Sequence, residues 1–191
     1  MSDTIDKLRT DHRNLARLMD IIAREVRVFE AGDLPDYDLV ASILDYTQNY
    51  PDRFHHPLED KVLAKLRQRD PDIAITVGDL DREHEKLGTL TRRFAAALDN
   101  VMQDAELPRD WFVEVASEYL DFQRRHMQME EVLFFPAALR ALSEDDWREL
   151  ATDAPSADDP LFGGTDAQGE YDALLEEIMK WGGAQDTASF A

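Results

Sequence analysis

No cysteine occurs in this chain of 191 residues. Disulfides, thiolate zinc sites, iron–sulfur clusters and thiol nucleophiles are thereby excluded, and any metal must be held by nitrogen and oxygen alone. Basic residues are scarce as well: 21 lysines and arginines stand against 41 acids, a net charge of −20. A phosphate backbone needs a basic face to displace its counterions, so the charge argues against nucleic acid. An anionic membrane surface is disfavoured on the same ground. No apolar run approaches the roughly 18–20 residues of a membrane span. The acidic start, Met1-Ser2-Asp3-Thr4, lacks the apolar core of a secretory signal. A cytoplasmic protein is the expectation.

Histidine is also rare, and the five present fall into a repeated plan. His12 is followed 43 residues later by His55, which heads His-x-x-x-Glu ending at Glu59. His84 is followed 42 residues later by His126, which heads a second His-x-x-x-Glu ending at Glu130. Another acid follows each glutamate, Asp60 and Glu131. The chain reads as two copies of one unit, a helix with a lone histidine and then a helix with His and Glu one turn apart.

Hydrophobic content of 43% suffices for a buried core, and 32% charged residues suit a soluble surface. Ile5, Leu8, His12, Leu15, Met19, Ile22, Val26 and Phe29 alternate steps of three and four, the spacing of a bundle seam. Ala31-Gly32-Asp33 ends this first helix. A second helix starts near Asp36 and carries His55 onward to Leu66. Pro51 and Pro57 lie inside it, and an interior proline removes a hydrogen bond at a cost of about 3 kcal/mol. A kink or break near Pro51 is expected. The third helix, from Asp72 or Asp79 to about Gln103, carries His84 in another three-four series. Pro108 opens the fourth, with Phe112, Val115, Tyr119, Phe122, His126 and Leu133 along its seam.

The predicted fold is all-α: an antiparallel, up-down-up-down four-helix bundle over residues 1–142. An acidic extension with one or two short helices covers 143–191. It holds 13 acids against 2 bases, the composition of a solvated tail. Ser143-x-x-Asp146 predicts a capping box for its first helix, and a last helix is expected over about Glu170 to Trp181, after a Pro/Gly/Asp-rich stretch.

Residues four apart share one helix face, about 5–6 Å between β-carbons. His55 with Glu59, and His126 with Glu130, can therefore reach one point in the core, where His12 and His84 arrive from the other two helices. A single seam histidine is more often a hydrogen-bonded core residue than a ligand, and a single His-x-x-x-Glu is often a surface pair. Four seam histidines, one per helix, two of them with Glu at one offset, point instead to a metal site. Buried without metal, the set would carry a heavy desolvation cost. Iron or manganese suits this mixture, zinc fits it, and calcium or magnesium fits it poorly. His56 points about 100° away from His55; it is an alternative or additional ligand, or a group that orients one. Tyr50, before His55, is a candidate proton donor.

At these residues the sequence resembles the hemerythrin-like family, the HHE cation-binding domains, over about residues 4 to 141. The resemblance is carried by Asp11-His12, His55-His56-Pro57-Leu58-Glu59-Asp60, Glu83-His84-Glu85, and His126-Met127-Gln128-Met129-Glu130-Glu131 running into Leu133-Phe134-Phe135-Pro136. Asp159-Pro160-Leu161-Phe162-Gly163 is similar to the tail of a subgroup. The family implies two iron ions in a four-helix bundle, a di-iron centre bridged by carboxylates and an oxo or hydroxo group, with manganese or zinc ranked behind iron. By position, the implied ligands are His12, His55, Glu59, His84, His126 and Glu130. Gly88 stands where the oxygen-carrying members have a second histidine on the third helix. This departure turns the expectation from reversible oxygen carriage to binding, sensing or reducing a small oxidant, dioxygen, peroxide or nitric oxide, in oxidative or nitrosative stress. The alternative is a metal-dependent sensor or iron-handling module without turnover. Nothing in the sequence identifies an electron donor or a redox or signalling protein partner.

Overall fold

The computed structural model describes residues 3–153 together with 159, 161, 162, 171, 174–176 and 178. The regular structure of these residues is helical throughout. Helix α1 spans Asp3–Ala31 and ends at Gly32, whose φ of 90° takes the chain into a turn that a Cβ would strain. Helix α2, Tyr37–Tyr50, begins where the Asp36 carboxylate accepts from the Leu39 amide at 3.0 Å. It runs without a break into a π-helical turn, Pro51–His55, and then into α3, His56–Arg69. The expected disturbance at Pro51 is thus one widened turn within a continuous rod.

The third helix was expected to start at Asp72 or Asp79, and both places are helix starts. Short α4, Pro71–Val77, is capped by Asp70, and Gly78 with φ 95° ends it. Helix α5, Leu80–Met102, is then capped by Asp79. Helix α6, Arg109–Met129, leads into a second π-turn, Glu130–Phe134, and into α7, Phe135–Ala141. The capping box is present: Ser143 donates its amide to Asp146 Oδ2 at 2.9 Å, and the Asp146 amide donates to Ser143 Oγ at 3.3 Å. It opens α8, Glu144–Asp153. Residues 174–176 and 178 are helical, Tyr171 lies in a bend short of them, and the other residues of the last predicted helix lie outside the described residues.

Each π-turn ends two residues before a proline, Pro57 or Pro136. Neither proline has an N–H for the carbonyl four residues back, and its ring would clash with that carbonyl in a regular helix. A single wider turn relieves the clash, with His56 N–H bonding Pro51 O and Phe135 N–H bonding Glu130 O. Such bulges shift side chains around the axis and are frequent at functional sites. Both lie beside the candidate ligands.

The rods close into a bundle: α1 packs on α2 and α6, and α5 packs on α2 and α6. Two apolar clusters fill it. One holds Leu15 to Val26, Tyr46, Leu87, Phe94 and Tyr119, and Leu161, Tyr171, Leu174 and Ile178 of the tail join it. The other holds Ile5, Leu8, Leu58, Val62, Leu80, Phe134 and Leu150. Every rod passes from one cluster to the other through a polar residue: His12 between Leu8 and Leu15, His84 between Leu80 and Leu87. The candidate site is this layer. No described helix is long and apolar enough to cross a membrane.

Candidate metal centre

The structure brings all six residues together. Glu59 and Glu130 are fully buried, 0% exposed, and His12, His55 and His126 are nearly so. His84 is somewhat more open, its side chain 10% exposed. One oxygen of Glu59 lies 3.2 Å from His55 Nε2 and 3.8 Å from His12 Nε2, and the other lies 3.4 Å from His84 Nε2. Glu130 mirrors this: Oε2 is 3.2 Å from His12 Nε2, and Oε1 is 3.3 Å from His126 Nε2 and 3.9 Å from His84 Nε2. Each carboxylate therefore spans two histidine pairs, His12 with His55 and His84 with His126. His12 and His55 turn their Nε2 atoms toward each other at 3.2 Å.

Ligating atoms of His12, His55 and Glu59 lie within 4.8 Å of one another, as do those of His56, Glu59, His84 and His126. His56 thus belongs beside the second group while its neighbour His55 belongs to the first. The 100° between successive helical residues, which argued for one or the other, here serves two adjacent points. The His56 ring stacks on His84, centroids 3.9 Å apart and planes at 14°.

The inward atoms fit a cation better than they fit each other. Both oxygens of Glu59, both of Glu130, and the Nε2 atoms of His84 and His126 are buried and make no aligned hydrogen bond. Orphaned polar atoms at this depth are costly. Their converging N and O donors suit a first-row metal ion.

The outward ring atoms are held by a second layer of acids, which the sequence reading did not assign. His55 Nδ1 faces Asp11 Oδ2 at 3.1 Å, and His126 Nδ1 faces Glu83 Oε2 at 2.9 Å. His12 Nδ1 faces Glu131 Oε1 at 3.0 Å, and His56 Nδ1 faces Asp52 Oδ1 at 3.0 Å. Asp60 Oδ1 stands 3.9 Å from His84 Nδ1. A carboxylate on Nδ1 fixes the tautomer that leaves Nε2 open to metal. The acids cross over. Asp11, next to His12, supports His55, and Glu83, next to His84, supports His126. Glu131, following one core glutamate, serves His12, whereas Asp60, following the other, stands near His84 without a hydrogen bond to it. The internal duplication of the sequence reappears as a matched pair of braces. The pairing of acids and histidines was visible in Asp11-His12 and Glu83-His84, but neighbours in sequence are not partners in space.

Electrostatics follow from this packing in the metal-free protein. Burial alone would lower His55, but Glu59 and Asp11 outweigh it and raise its pKa to about 10. His84 is likewise pulled down by burial and raised overall to about 9 by Glu130 and Glu59. Burial holds His56 down to about 4 despite Asp52. Burial opposes the ionised form of Glu59, yet His55 and His84 keep its carboxyl well below the usual range. Tyr50 donates to Asp11 Oδ1 at 3.4 Å rather than pointing at the centre. Tyr46, stacked on Tyr50, donates to Asp159 of the tail at 3.0 Å.

The family model of the hemerythrin HHE cation binding domain matches residues 3–138. The chain belongs to that family. Among curated proteins, this HHE protein is similar to uncharacterized proteins of Mycobacterium bovis and of Mycobacterium tuberculosis. Each is 24% identical over 186 residues, covering 97% of this chain and 72% of the relative. No solved structure matches it. Cation binding by a His/Glu cluster is the property that family and geometry share.

Proposed function

We propose that this HHE protein is a non-haem di-iron protein that binds, senses or reduces a small oxidant, dioxygen, peroxide or nitric oxide, in oxidative or nitrosative stress. In this reading the rods of residues 1–142 alternate in direction, and the acidic extension from 143 packs on them. His12 and His55 would hold one iron and His84 and His126 the other, with Glu59 and Glu130 supplying carboxylate oxygens to both and offsetting their charge. The orphaned inner atoms of both glutamates and of two histidines carry the proposal. Bound iron supplies a one-electron couple and an open position for a small ligand. The chain's own residues do the rest. Asp11, Glu83 and Glu131 orient the rings, Tyr50 and Asp11 form a proton path to His55 Nδ1, and the apolar clusters on either side exclude bulk water. The reading places the protein in the cytoplasm.

A second reading, a metal-dependent sensor or iron-handling module without turnover, is favoured by one contact. Asp159 of the tail accepts from Tyr46, which stacks on Tyr50, whose hydroxyl reaches the acid that holds His55. Hydrogen peroxide added to the iron-loaded protein separates the two. Continued turnover with oxygen release supports a catalyst, and a single stoichiometric oxidation supports the sensor. Protein that takes up no iron contradicts both.

A further inference from the structure

Three of the chain's five tyrosines touch one another in a line. Tyr46 and Tyr50 lie one turn apart on α2, their ring centroids 5.4 Å apart and their planes at 12°. Tyr171 of the tail meets the Tyr46 ring edge-on, with centroids 5.5 Å apart and planes at 89°. All three rings are buried. The inner end of the line reaches the polar layer, because Tyr50 donates to one oxygen of Asp11 while the other faces His55 Nδ1. The outer end reaches the surface, because Tyr171 donates to the exposed Asp45 at 2.9 Å.

A buried tyrosine needs a partner for its hydroxyl, and ordinary packing accounts for that much. It does not account for the choice of partner. Each hydroxyl in the line donates to a carboxylate, Asp11, Asp159 or Asp45. Tyr119, fully buried in the same cluster, donates instead to Thr47 at 3.4 Å. Asp11 and Asp159 are themselves buried, and a carboxylate is a costly acceptor to bury where a hydroxyl or carbonyl would serve. What a carboxylate adds is the capacity to take the proton itself. Asp159 is arranged for this. Its Oδ1 accepts from the amides of Leu161 at 2.8 Å and Phe162 at 3.0 Å, and its Oδ2 faces the Tyr46 hydroxyl at 3.0 Å. Burial raises the pKa of Asp159, and burial together with Asp159 raises that of Tyr46. The Tyr46 phenol therefore stays protonated at ordinary pH, and an electron leaves it only if the proton has somewhere to go.

We propose that Tyr50, Tyr46 and Tyr171 form an electron relay between the metal layer and the surface at Asp45, with Tyr46 the residue that is reversibly oxidised. In each transit Tyr46 gives one electron inward through the Tyr50 ring, its O–H bond breaks, and the proton moves to Asp159 Oδ2. A neutral phenoxyl radical then stands beside a protonated carboxyl. Tyr171 returns an electron to Tyr46, Asp159 returns the proton, and the Tyr171 proton passes to Asp45. A one-electron reductant in solution restores Tyr171, which recovers its proton from Asp45. With peroxide as the oxidant, two transits supply the two electrons, and solvent the two protons, that convert HOOH to two waters. Electron exchange falls off steeply with distance, so rings in contact are a faster route than the aliphatic side chains around them. The inference rests on the di-iron reading and adds the path by which electrons reach the site.

Peroxide mixed with the iron-loaded full chain, frozen at intervals for electron paramagnetic resonance, is the test. The parent is expected to give the organic-radical signal of a phenoxyl, with hyperfine structure that collapses when the tyrosines are ring-deuterated. Tyr46→Phe and Asp159→Asn should abolish the signal at unchanged iron content. Asp159→Asn keeps the Tyr46 ring and hydroxyl, so its result reports the proton acceptor and stands even if Tyr46→Phe does not fold. Tyr171→Phe should keep the signal and slow its removal by ascorbate, the solution reductant, while Tyr119→Phe should change neither. A parent that takes up iron but gives no phenoxyl signal overturns this inference alone. So does a signal that survives in Tyr46→Phe or Asp159→Asn, or an unchanged decay in Tyr171→Phe. A parent that takes up no iron overturns the di-iron reading and this inference with it.

Discussion

Asp11 holds the ring of His55, 44 residues away, at 3.1 Å, and not that of His12 beside it. Glu83 does the same for His126 at 2.9 Å. Each lone-histidine helix thus supplies one imidazole to the centre and one carboxylate to the ring of another helix. Such a carboxylate raises the basicity of the ring and fixes its orientation. Asp11→Asn and Glu83→Gln are expected to weaken metal binding by roughly 10- to 100-fold each. Competition with a chelator of known affinity measures it, and an unchanged affinity in both would rule out the bracing role.

The two adjacent histidines differ in what remains when each is lost. Removing His55 leaves only His12 and Glu59 in the first group, whereas removing His56 leaves Glu59, His84 and His126 in the second. His55→Ala is therefore expected to lower iron content more than His56→Ala. Glu59→Ala, which touches both groups, is expected to lower it most. Metal analysis of the three purified variants decides the order; His56→Ala emptying the site while His55→Ala does not would reverse the assignment.

The metal-free protein carries a pH signature. His55 and His84 titrate near 10 and 9 in the fold, against an ordinary 6.5. Raised values mean that their contribution to stability is whole below about 6.5 and is lost as pH climbs through 9 to 10. His56, held at about 4, works in the other direction, so stability also falls as pH drops from about 6.5 toward 4. Melting temperatures of chelator-treated protein should peak near pH 6.5. Metal must displace the protons on His55 and His84, so metal affinity should rise between pH 7 and 9. A flat melting profile from pH 6 to 10 would refute the coupling.

Stability and metal binding should separate in the core. Phe94 is fully buried in the cluster with Phe112 and Tyr119, away from the polar layer. Phe94→Ala is expected to cost about 3–5 kcal/mol in denaturant unfolding. Iron stoichiometry at room temperature should stay unchanged. Loss of iron with full retention of stability would contradict the layered arrangement.

The rods and their inward residues were legible because burial selects a three-four spacing. On α1 that spacing runs unbroken from Ile5 to Phe29, and only His12 interrupts its apolar character. The π-turns were only half legible. Pro51 and Pro57 warned of a disturbance, but Pro136 carried the same message on the last rod and passed as part of a motif. A proline reports a missing N–H without saying whether the helix breaks, kinks or widens. The outer acids were legible as residues and not as partners, because Glu131 meets His12 across 119 positions. Such pairings depend on how the rods are rotated about their axes, which periodicity leaves undetermined to within tens of degrees. His56 was legible as an alternative or additional ligand, but not which neighbours it would join, for the same reason.

The central claim is that Glu59 and Glu130 each face two metal ions. Iron analysis of freshly purified protein, with its near-ultraviolet and visible spectrum, tests it most directly. The account predicts close to two irons per chain with intense near-ultraviolet charge-transfer absorption, both lost in Glu59→Ala. Protein that binds one iron or none after reconstitution, with no such absorption, would contradict it.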